Sequence, residues 1–469
     1  MRHLLGAREA AGVTLSLDAV SVSVAGPVDL PLTGEQDVQA ACGIMHVHGR
    51  RFGRPTPLGF DYASIIAAEL AGLGAQALEL AQARGIPLHA VSTSLAQGAL
   101  LAVAQYLAAA TADDPDEPQS PGGPPFRSAD RVAFEIEALD PAVWQRFWAA
   151  LGADDRAVSR GWRPFLHRFA TATCPLPGLA EVLAAHPIAR ITDVARRTGM
   201  TLVRVSDQPV DHLPAFVLSG TGGGHPRGRP AGLLPLSGLV VLESCRRVQG
   251  PLAGHLLRLL GATVLRIEPP GGDPSRWVPP MAGDTSARFH ALNRGKDVVE
   301  IDLGTPGGRR EALDLAATAD VFLHNWAPGK AEQWSLRPAD LARVRPGIVY
   351  AHASGWGAEL GPNPPLGTDF VVQAHSGVPP TLMTVVDVFG GVVSAHGIVA
   401  ALTSGATRVD SSLLSAAGTL NARSWHRCAE PLTVPVCDDL AALGADPRFA
   451  GALVRDGCVL VRSPWEFTS

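Results

Sequence analysis

The stretch LVVLESCRRVQGPLAGHLLRLLGATVLRI, residues 239–267, decides the fold class. Its apolar run Leu239–Leu242 predicts a strand, and Pro251–Leu260 predicts a helix that ends just before Gly261. A second strand is predicted at Val264–Ile267. The alternation continues with predicted helices and strands at Gly307–Ala317, Val321–Leu323, Pro338–Val344 and Ile348–Ala351. The sequence therefore predicts an α/β fold, a Rossmann-like open parallel sheet with flanking helices, plus a smaller α+β domain.

Breaks in composition divide the chain into four parts. The clearest break is SGTGGGHPRGRPAG, residues 219–232, whose Gly and Pro content is typical of a linker. A phosphate-binding glycine loop needs a strand directly before it and a helix directly after it, and this stretch has neither. We expect, in order, a segment of the large domain, a small α+β domain, a Gly/Pro-rich linker and the Rossmann-like domain with a C-terminal tail, over residues 1–115, 116–216, 217–236 and 237–469.

Shorter patterns mark the elements of the first half. Small apolar residues between Asp61 and Ala83 predict a buried helix with close neighbours. Alternating residues predict strands at Val13–Leu17, Val20–Val24, Arg131–Ile136 and Leu202–Val205.

The composition excludes several function classes. The chain has 469 residues, of which 46% are hydrophobic and 18% charged, so it can bury a large core. A formal net charge of -5 gives no support for nucleic-acid binding. We expect no bilayer span, and residues 1–12 carry charges inside their apolar run, unlike a signal peptide. Six cysteines without CxxC or CxxH spacing predict no metal site and suit free thiols in a reducing cytoplasm.

One acidic residue begins the short apolar run of GTDFVVQAHSG, residues 367–377. A helix N-terminus carries unpaired N–H groups and a partial positive charge, so we expect Asp369 to stay ionised at neutral pH. An ionised carboxylate at the end of a loop can act as a nucleophile. The alternative is that Asp369, together with Thr368, only caps its helix.

Three segments of the chain occur twice in the same order. The matched pairs are Gln39–Ile44 with Gln373–Val378, the stretch from Asp61 with the stretch from Asp387, and Val91–Leu95 with Val409–Leu413. This alignment sets Glu35 opposite Asp369. Because the motifs that precede Asp369 have no copy before Glu35, a relic is favoured over a second site.

Five ordered motifs of the second half resemble the class III CoA-transferase family, the CaiB/BaiF and formyl-CoA transferase group. They lie at Ser237–Trp277, Ala291–Leu303, Ala319–Gly329, Ala353–Pro362 and Gly367–Gly377. Residues 1–115 resemble the family's later large-domain portion, and Pro125–Gly152 is similar to the start of its small domain. The chain is thus similar to a rearranged member with a partial internal duplication, and we expect its two halves to complement each other within one chain or across a dimer.

The resemblance implies an enzyme that moves CoA from an acyl-CoA thioester to a carboxylic acid. An aspartate of that family attacks the thioester, and aspartyl anhydride and aspartyl-CoA thioester intermediates follow. The matching position is Asp369. The resemblance further implies coenzyme A as a substrate with no permanently bound cofactor, and a homodimer, an arrangement that a rearranged chain could instead mimic alone. Composition and cysteine spacing predict no metal, no nucleic-acid or membrane partner and a cytoplasmic location.

CoA contacts follow from the same resemblance. They fall on Val248, Gln249, Leu292, Asn293, Arg294, Gly295, Lys296, Asn325, Trp326, Ala327, Ser354, Gly355, Trp356 and Gly357. Arg294 and Lys296 are expected to meet CoA phosphates. Two positions depart from the family, since Pro269 and Gln333 stand where many members carry Arg.

Two alternatives stay open at this point. An acyl-CoA racemase or isomerase of the same fold usually has His directly before the Asp, where this chain has Thr368, although His352 and His375 are near in sequence. The rearranged order and the two lost Arg positions also fit a non-catalytic CoA-binding remnant.

Overall fold

The structure is a computed structural model and describes residues 19–115, 120–211, 213–222, 229–422 and 431–469. The predicted strand at Val13–Leu17, the middle of the predicted linker and Cys428 lie outside these residues. The cysteines within the described ranges are free thiols.

The first half of the chain contains two long apolar helices and several short elements. Its strands are β1 (Val20–Ser23), β2 (Ala90–Ser94), β3 (Phe126–Arg127), β4 (Ala133–Glu137), β5 (Thr201–Arg204) and β6 (Phe216–Ser219). Its helices are α1 (Glu35–Ala41), α2 (Ile44–Gly49), α3 (Tyr62–Ala83), α4 (Leu95–Ala110), α5 (Pro141–Ala150), α6 (Asp155–Leu166), α7 (Arg168–Thr171), α8 (Leu179–Ala184) and α9 (Ile188–Thr198).

The second half begins with strict alternation of strand and helix and ends in short strands. Its strands are β7 (Val240–Ser244), β8 (Thr263–Glu268), β9 (Met281–Ala282), β10 (Thr285–Ser286), β11 (Asp297–Glu300), β12 (Val321–His324), β13 (Val349–Ser354), β14 (Arg408–Ser412), β15 (Leu453–Asp456), β16 (Cys458–Val461) and β17 (Glu466–Thr468). Its helices are α10 (Gln249–Leu259), α11 (Ala287–Asn293), α12 (Pro306–Ala316), α13 (Lys330–Trp334), α14 (Pro338–Val344), α15 (Asp369–Ser376), α16 (Val385–Ser404), α17 (Leu413–Ala422) and α18 (Leu440–Ala445).

A seven-stranded sheet organises the second half, in the order β11-β8-β7-β12-β13-β14-β6. Its neighbours are parallel except β6, which runs antiparallel to β14. The predicted α/β fold with a Rossmann-like parallel sheet is confirmed, and β7, β8, β12 and β13 lie where strands were predicted. The pattern missed β11, because this edge strand is mostly exposed and has no apolar run. It also missed β14, whose sequence RVDSS is mostly polar.

Two smaller sheets belong mainly to the first half. Strands β3, β4 and β5 form an antiparallel sheet in the small α+β part, with Phe134 paired to Arg204. Strands β1 and β2 are parallel, and β17 from the far end of the chain runs antiparallel to β2. Phe467 of β17 pairs with Val91 of β2, so the second half completes a sheet of the first.

Helices α3 and α16 pack against each other in the core. Both are apolar on all sides, which is typical of helices with neighbours all round. The prediction of a buried helix between Asp61 and Ala83 is confirmed. By length and hydropathy the two helices would also suffice to cross a membrane, but 78% and 89% of their most apolar windows are buried inside the protein. Their apolar character is therefore explained by the core.

The repeat extends to the hydrogen bonds that precede each central helix. In the first half, Gln39 Nε2 donates to Glu35 Oε1 at 2.8 Å and to the carbonyl of Phe60 at 2.9 Å. Its Oε1 accepts from the Leu58 N–H at 2.9 Å. One buried amide thus fastens the start of α1 to the segment that leads into α3.

The second half builds the same arrangement. Gln373 Nε2 donates to Asp369 Oδ1 and, at 3.1 Å, to the carbonyl of Met383. Its Oε1 accepts from the Thr381 N–H at 3.0 Å. The internal duplication inferred from sequence therefore reappears as two equivalent hydrogen-bond networks, one at each central helix.

The networks correct one register of the sequence alignment. Glu35 accepts the N–H of Ser64, whereas Asp369 accepts the N–H of Asp387, so Ser64 is the counterpart of Asp387. The sequence alignment had paired Asp61 with Asp387. Apolar helices built from small residues give almost no register signal, which explains the error.

The two halves are in direct contact around these networks. The Tyr62 hydroxyl donates to the carbonyl of Val385 at 2.6 Å. His48 Nδ1 lies 2.8 Å from Thr381 Oγ1, and the Ser206 N–H donates to the carbonyl of Ala374 at 2.7 Å. The expectation that the halves complement each other within one chain is met by these contacts.

We expect Gln39→Leu to destabilise the protein by about 3 kcal/mol, because it leaves a buried N–H and a buried carbonyl without partners. The free energy of unfolding in urea measures the effect. Gln145→Leu, an exposed position on α5, serves as the matched control and is expected to change stability by less than about 0.5 kcal/mol. Equal losses in both variants would contradict the role of the network.

Candidate active site

Two aspartates meet where α15 and α16 begin. Asp369 is the first residue of α15 and Asp387 lies in the first turn of α16. Asp369 is only 2% exposed. Its Oδ1 accepts from Gln373 Nε2, and its Oδ2 accepts from the Asp387 N–H at 2.6 Å. Both oxygens of Asp369 are therefore occupied by the protein.

The structure modifies the capping alternative for Asp369. Thr368 makes no side-chain cap bond to α15; its hydroxyl donates instead to Glu137 Oε2 at 2.7 Å. Asp369 binds an N–H in the first turn of α16, so it caps the next helix and not its own. The sequence around Asp369 could not predict this cap, because the capped N–H belongs to a residue 18 positions later.

Glu35 gives an internal reference for this geometry. Its Oε1 accepts from Gln39 and from the Ala63 N–H, and its Oε2 accepts from the Ser64 N–H at 2.7 Å and the Ser64 hydroxyl at 2.6 Å. The carboxylate is thus saturated by the start of α3. The first copy of the acid thus caps a helix, and its assignment as a relic stays a prediction.

A narrow pocket opens beside the two aspartates, and both halves of the chain line it. Its lining residues are Glu137, Leu166, Arg168, Phe169, Arg247, Val248, Thr368, Asp369, Phe370 and Asp387. Asp387 is half-buried, and among the described residues none donates a hydrogen bond to its carboxylate. Asp387 lies within the sequence repeat, but the repeat predicts no role for it.

Burial governs the charge of both acids. It raises the pKa of Asp369 well above its usual range, and the neighbouring charge of Asp387 raises it further, against the lowering effect of the hydrogen bonds that Asp369 accepts. This direction of the pKa of Asp369 is opposite to the one expected for a carboxylate at a helix N-terminus. Burial raises the pKa of Asp387 to about 7, although the positive charge of Arg247 acts in the opposite direction.

The wall from the small domain carries a buried ion cluster. Arg168 Nη2 lies 3.2 Å from Glu137 Oε2 and 3.4 Å from Glu135 Oε1, and its guanidinium is 4.9 Å from the ring centroid of Phe370. Burial raises the pKa of Glu135 to about 7 despite this partner. Through Thr368, the cluster is joined directly to the start of α15.

The loops after the parallel strands hold several of the predicted CoA contacts. Val248 and Gln249 begin α10 at the end of β7, and Val248 lines the pocket. Asn325, after β12, accepts the Arg246 N–H at 2.9 Å and donates to the Arg246 carbonyl at 2.7 Å. Trp326 Nε1 donates to Ser244 Oγ at 3.1 Å. These loops lie at the carboxyl edge of the sheet, where such folds bind ligands.

The third strand-end loop is tightly packed. Ser354 Oγ accepts the Gly357 N–H at 3.0 Å, and Trp356 is buried. A Cβ at Gly355 would lie 2.7 Å from the backbone of Gly367, so only glycine lets the two segments cross there. Ala327, in the preceding loop, is exposed.

The predicted contacts at 292–296 are fixed by internal partners. Lys296 Nζ donates to Glu243 Oε2 and to the carbonyl of Pro251, each at 2.7 Å, and to Asn293 Oδ1 at 2.9 Å. Arg294 Nη2 donates to the carbonyl of Val461 at 2.7 Å. All three donors of Lys296 are used inside the protein, so the phosphate contact expected of it finds no free donor.

The remaining two residues of this segment differ in their exposure. Leu292 is buried in the core, and Gly295 is exposed with the Arg258 side chain against it. The two positions at which the chain departs from the family lie beside internal contacts. Pro269 follows Glu268, which accepts a hydrogen bond from Arg266 at 3.0 Å, and Gln333 accepts one from Lys330 at 2.9 Å.

The histidines considered for racemase chemistry lie elsewhere. His375 packs edge-on against Trp356, with 5.2 Å between ring centroids. His352 stacks on His324 with 4.6 Å between ring centroids, next to a second hydrophobic cluster of the sheet that does not contact the pocket. Neither residue lines the pocket.

Comparison with known proteins gives a family match in two pieces. The model of CoA-transferase family III matches residues 29–210 and 236–428. The break falls at the predicted linker, and the two pieces agree with the duplicated, rearranged order inferred from the sequence.

Individual relatives match only part of the chain. It is 35% identical over 182 residues to an acetyl-CoA:oxalate CoA-transferase of Acetobacter aceti, covering 36% of this chain and 46% of that protein. It is 36% identical over 171 residues to the human succinyl-CoA:glutarate CoA-transferase, covering 34% and 39%. A crystal structure of Rv3272 from Mycobacterium tuberculosis is 34% identical, with a TM-score of 0.37, and covers 40% of this chain and 58% of that one. The chain spans about half the length of the curated relatives it matches, or less.

The carboxyl of Asp387 is expected to make stability depend on pH. Its pKa of about 7 in the folded protein exceeds the ordinary value, so its contribution is full below about pH 4 and is lost as the pH rises through 7. We expect Asp387→Asn to reduce the stability difference between pH 5 and pH 8 by about 2 kcal/mol. Urea unfolding at both pH values measures this. Asp314→Asn on exposed α12 is the control, and an unchanged difference in Asp387→Asn would contradict the assignment.

Proposed function

The chain belongs to CoA-transferase family III, and from that premise we propose that it moves coenzyme A from an acyl-CoA thioester to a carboxylic acid. The observation that carries the proposal is the pair of carboxyl groups, one buried and one half-buried, in a pocket lined by both halves of the chain. A covalent carboxylate nucleophile is what such an exchange needs.

The family resemblance places the nucleophile at Asp369, but the geometry favours Asp387. Asp369 is nearly inaccessible and has both oxygens occupied, as Glu35 has in the other copy. Asp387 is more exposed, lies in the same pocket and has a free carboxylate among the described residues. We therefore assign nucleophilic attack to Asp387 and a positioning role to Asp369, which holds the backbone N–H of the nucleophile.

The reaction divides into four acyl transfers. The Asp387 carboxylate attacks the thioester carbonyl and expels CoA thiolate, which leaves a mixed anhydride. The thiolate then attacks the aspartyl carbonyl, releasing the donor acid and forming an aspartyl-CoA thioester. The acceptor carboxylate attacks that thioester and again expels the thiolate, giving a second anhydride. Attack of the thiolate on the acceptor carbonyl forms the new acyl-CoA and restores Asp387.

Gln249 is a suitable donor for the oxyanions of these steps. Its Nε2 is buried and has no hydrogen-bond partner among the residues that the structure describes. It lies against Gly390, one turn after Asp387 on α16, where an added Cβ would be 3.2 Å away. A buried amide donor without a partner is costly, so a ligand oxygen at this place would satisfy it.

The first half is proposed to close the active site within the same chain. Glu137, Arg168 and Phe169 come from the small α+β part and form one wall of the pocket. The division into domains, the homodimer and the cytoplasmic location remain predictions.

We expect Asp387→Ala to abolish the covalent adduct and to lower CoA transfer by at least about 10³-fold. The protein is incubated with a panel of acyl-CoAs, and mass spectrometry of its peptides locates the adduct. Asp369→Asn keeps a similar shape and is expected to retain the adduct at Asp387 while lowering the rate by roughly 10- to 100-fold.

Glu35→Gln is the matched control, because it alters the equivalent helix cap away from the pocket. It is expected to lower stability without changing the rate of adduct formation. An adduct on Asp369 would reverse the two assignments. Absence of any adduct in the unmodified protein, together with no transfer, would refute the proposed function.

A further inference from the structure

Arg247 has an unusual backbone conformation at the mouth of the pocket. Its φ is 66°, in the left-handed region that residues other than glycine rarely adopt. The residue is exposed and lines the pocket together with Asp387 and Asp369. Strained residues that persist are held by their surroundings and cluster at functional sites.

The residues on either side of Arg247 hold its backbone in place. Asn325, at the end of the neighbouring strand β12, binds both the N–H and the carbonyl of Arg246. Val248 is buried and starts α10 on the other side. The chain is thus fixed directly before and directly after Arg247, so the turn directs this side chain to the pocket.

The charges around the pocket leave Arg247 as the cation available to a ligand. The lining includes the carboxyl groups of Glu137, Asp369 and Asp387, and the guanidinium of Arg168 already binds Glu137. Within the described ranges, the guanidinium of Arg247 forms neither an ion pair nor a hydrogen bond. An acid that enters this pocket as an anion loses its hydration, and a cation that is not already paired compensates for that loss.

We infer that Arg247 binds a carboxylate of the acceptor acid and positions it against the aspartyl-CoA thioester. The inference rests on the proposed function and adds the residue that receives the acceptor. A guanidinium fits a carboxylate with two parallel hydrogen bonds, which fixes orientation as well as charge. The contact forms and breaks with acceptor binding and involves no covalent change at Arg247.

Steady-state kinetics of Arg247→Gln and Arg247→Lys test the inference. The donor is an acyl-CoA that labels the unmodified protein, and the acceptors are a short monocarboxylate series and a short dicarboxylate series. We expect Arg247→Gln to raise the KM for the acceptor roughly 10- to 100-fold, with partial recovery in Arg247→Lys. The covalent adduct is still expected to form in Arg247→Gln in the absence of acceptor, but more slowly, because loss of this positive charge raises the pKa of Asp387 further.

The two acceptor series distinguish which carboxylate is bound. A KM increase for both series assigns the reacting carboxylate to Arg247, and an increase confined to dicarboxylates assigns the second one. Arg310→Gln, on exposed α12, removes the same charge elsewhere and is the control. An unchanged acceptor KM for both series, with adduct formation intact, would overturn the inference. Failure of the unmodified protein to form any adduct would overturn the proposed function instead.

Discussion

A buried glutamine amide that ties a carboxylate to the start of a central helix is the constraint on which the molecule depends. Gln39 does this for Glu35 and α3, and Gln373 does it for Asp369 and α16. Helices α3 and α16 are predominantly apolar, and the two networks hold their N-termini in place. The same network thus defines the core and brings Asp387 into the pocket.

The pocket combines this constraint with a wall from another part of the chain. Glu137 on β4 accepts from Thr368 and is bound by Arg168, which joins the small domain to the start of α15. Burial then raises the pKa of both aspartates, so charge on either carboxyl is disfavoured, and the positive charge of Arg247 opposes this effect at Asp387. The first copy of the repeat has only the helix-capping acid Glu35, whereas the second copy has the helix-capping Asp369 and a further acid, Asp387.

The sequence predicted the sheet far better than the site. Apolar strands such as β7 and β12 have a local pattern, and the family motifs lie in the loops that follow them. Which acid is accessible depends on contacts between segments distant in the chain, since the N–H that occupies Asp369 belongs to another helix. Lys296 shows the same limit: its motif suggested a phosphate contact, but folding surrounds its amine with three acceptors.

The pairing of β17 with β2 has a consequence for folding order. Residues 466–468 complete a sheet whose other two strands lie near positions 20 and 90. During synthesis that sheet keeps an unpaired edge until almost the whole described chain has left the ribosome. Exposed edges of this kind promote association with other chains. We therefore expect the nascent first half to need a chaperone more than the completed chain does.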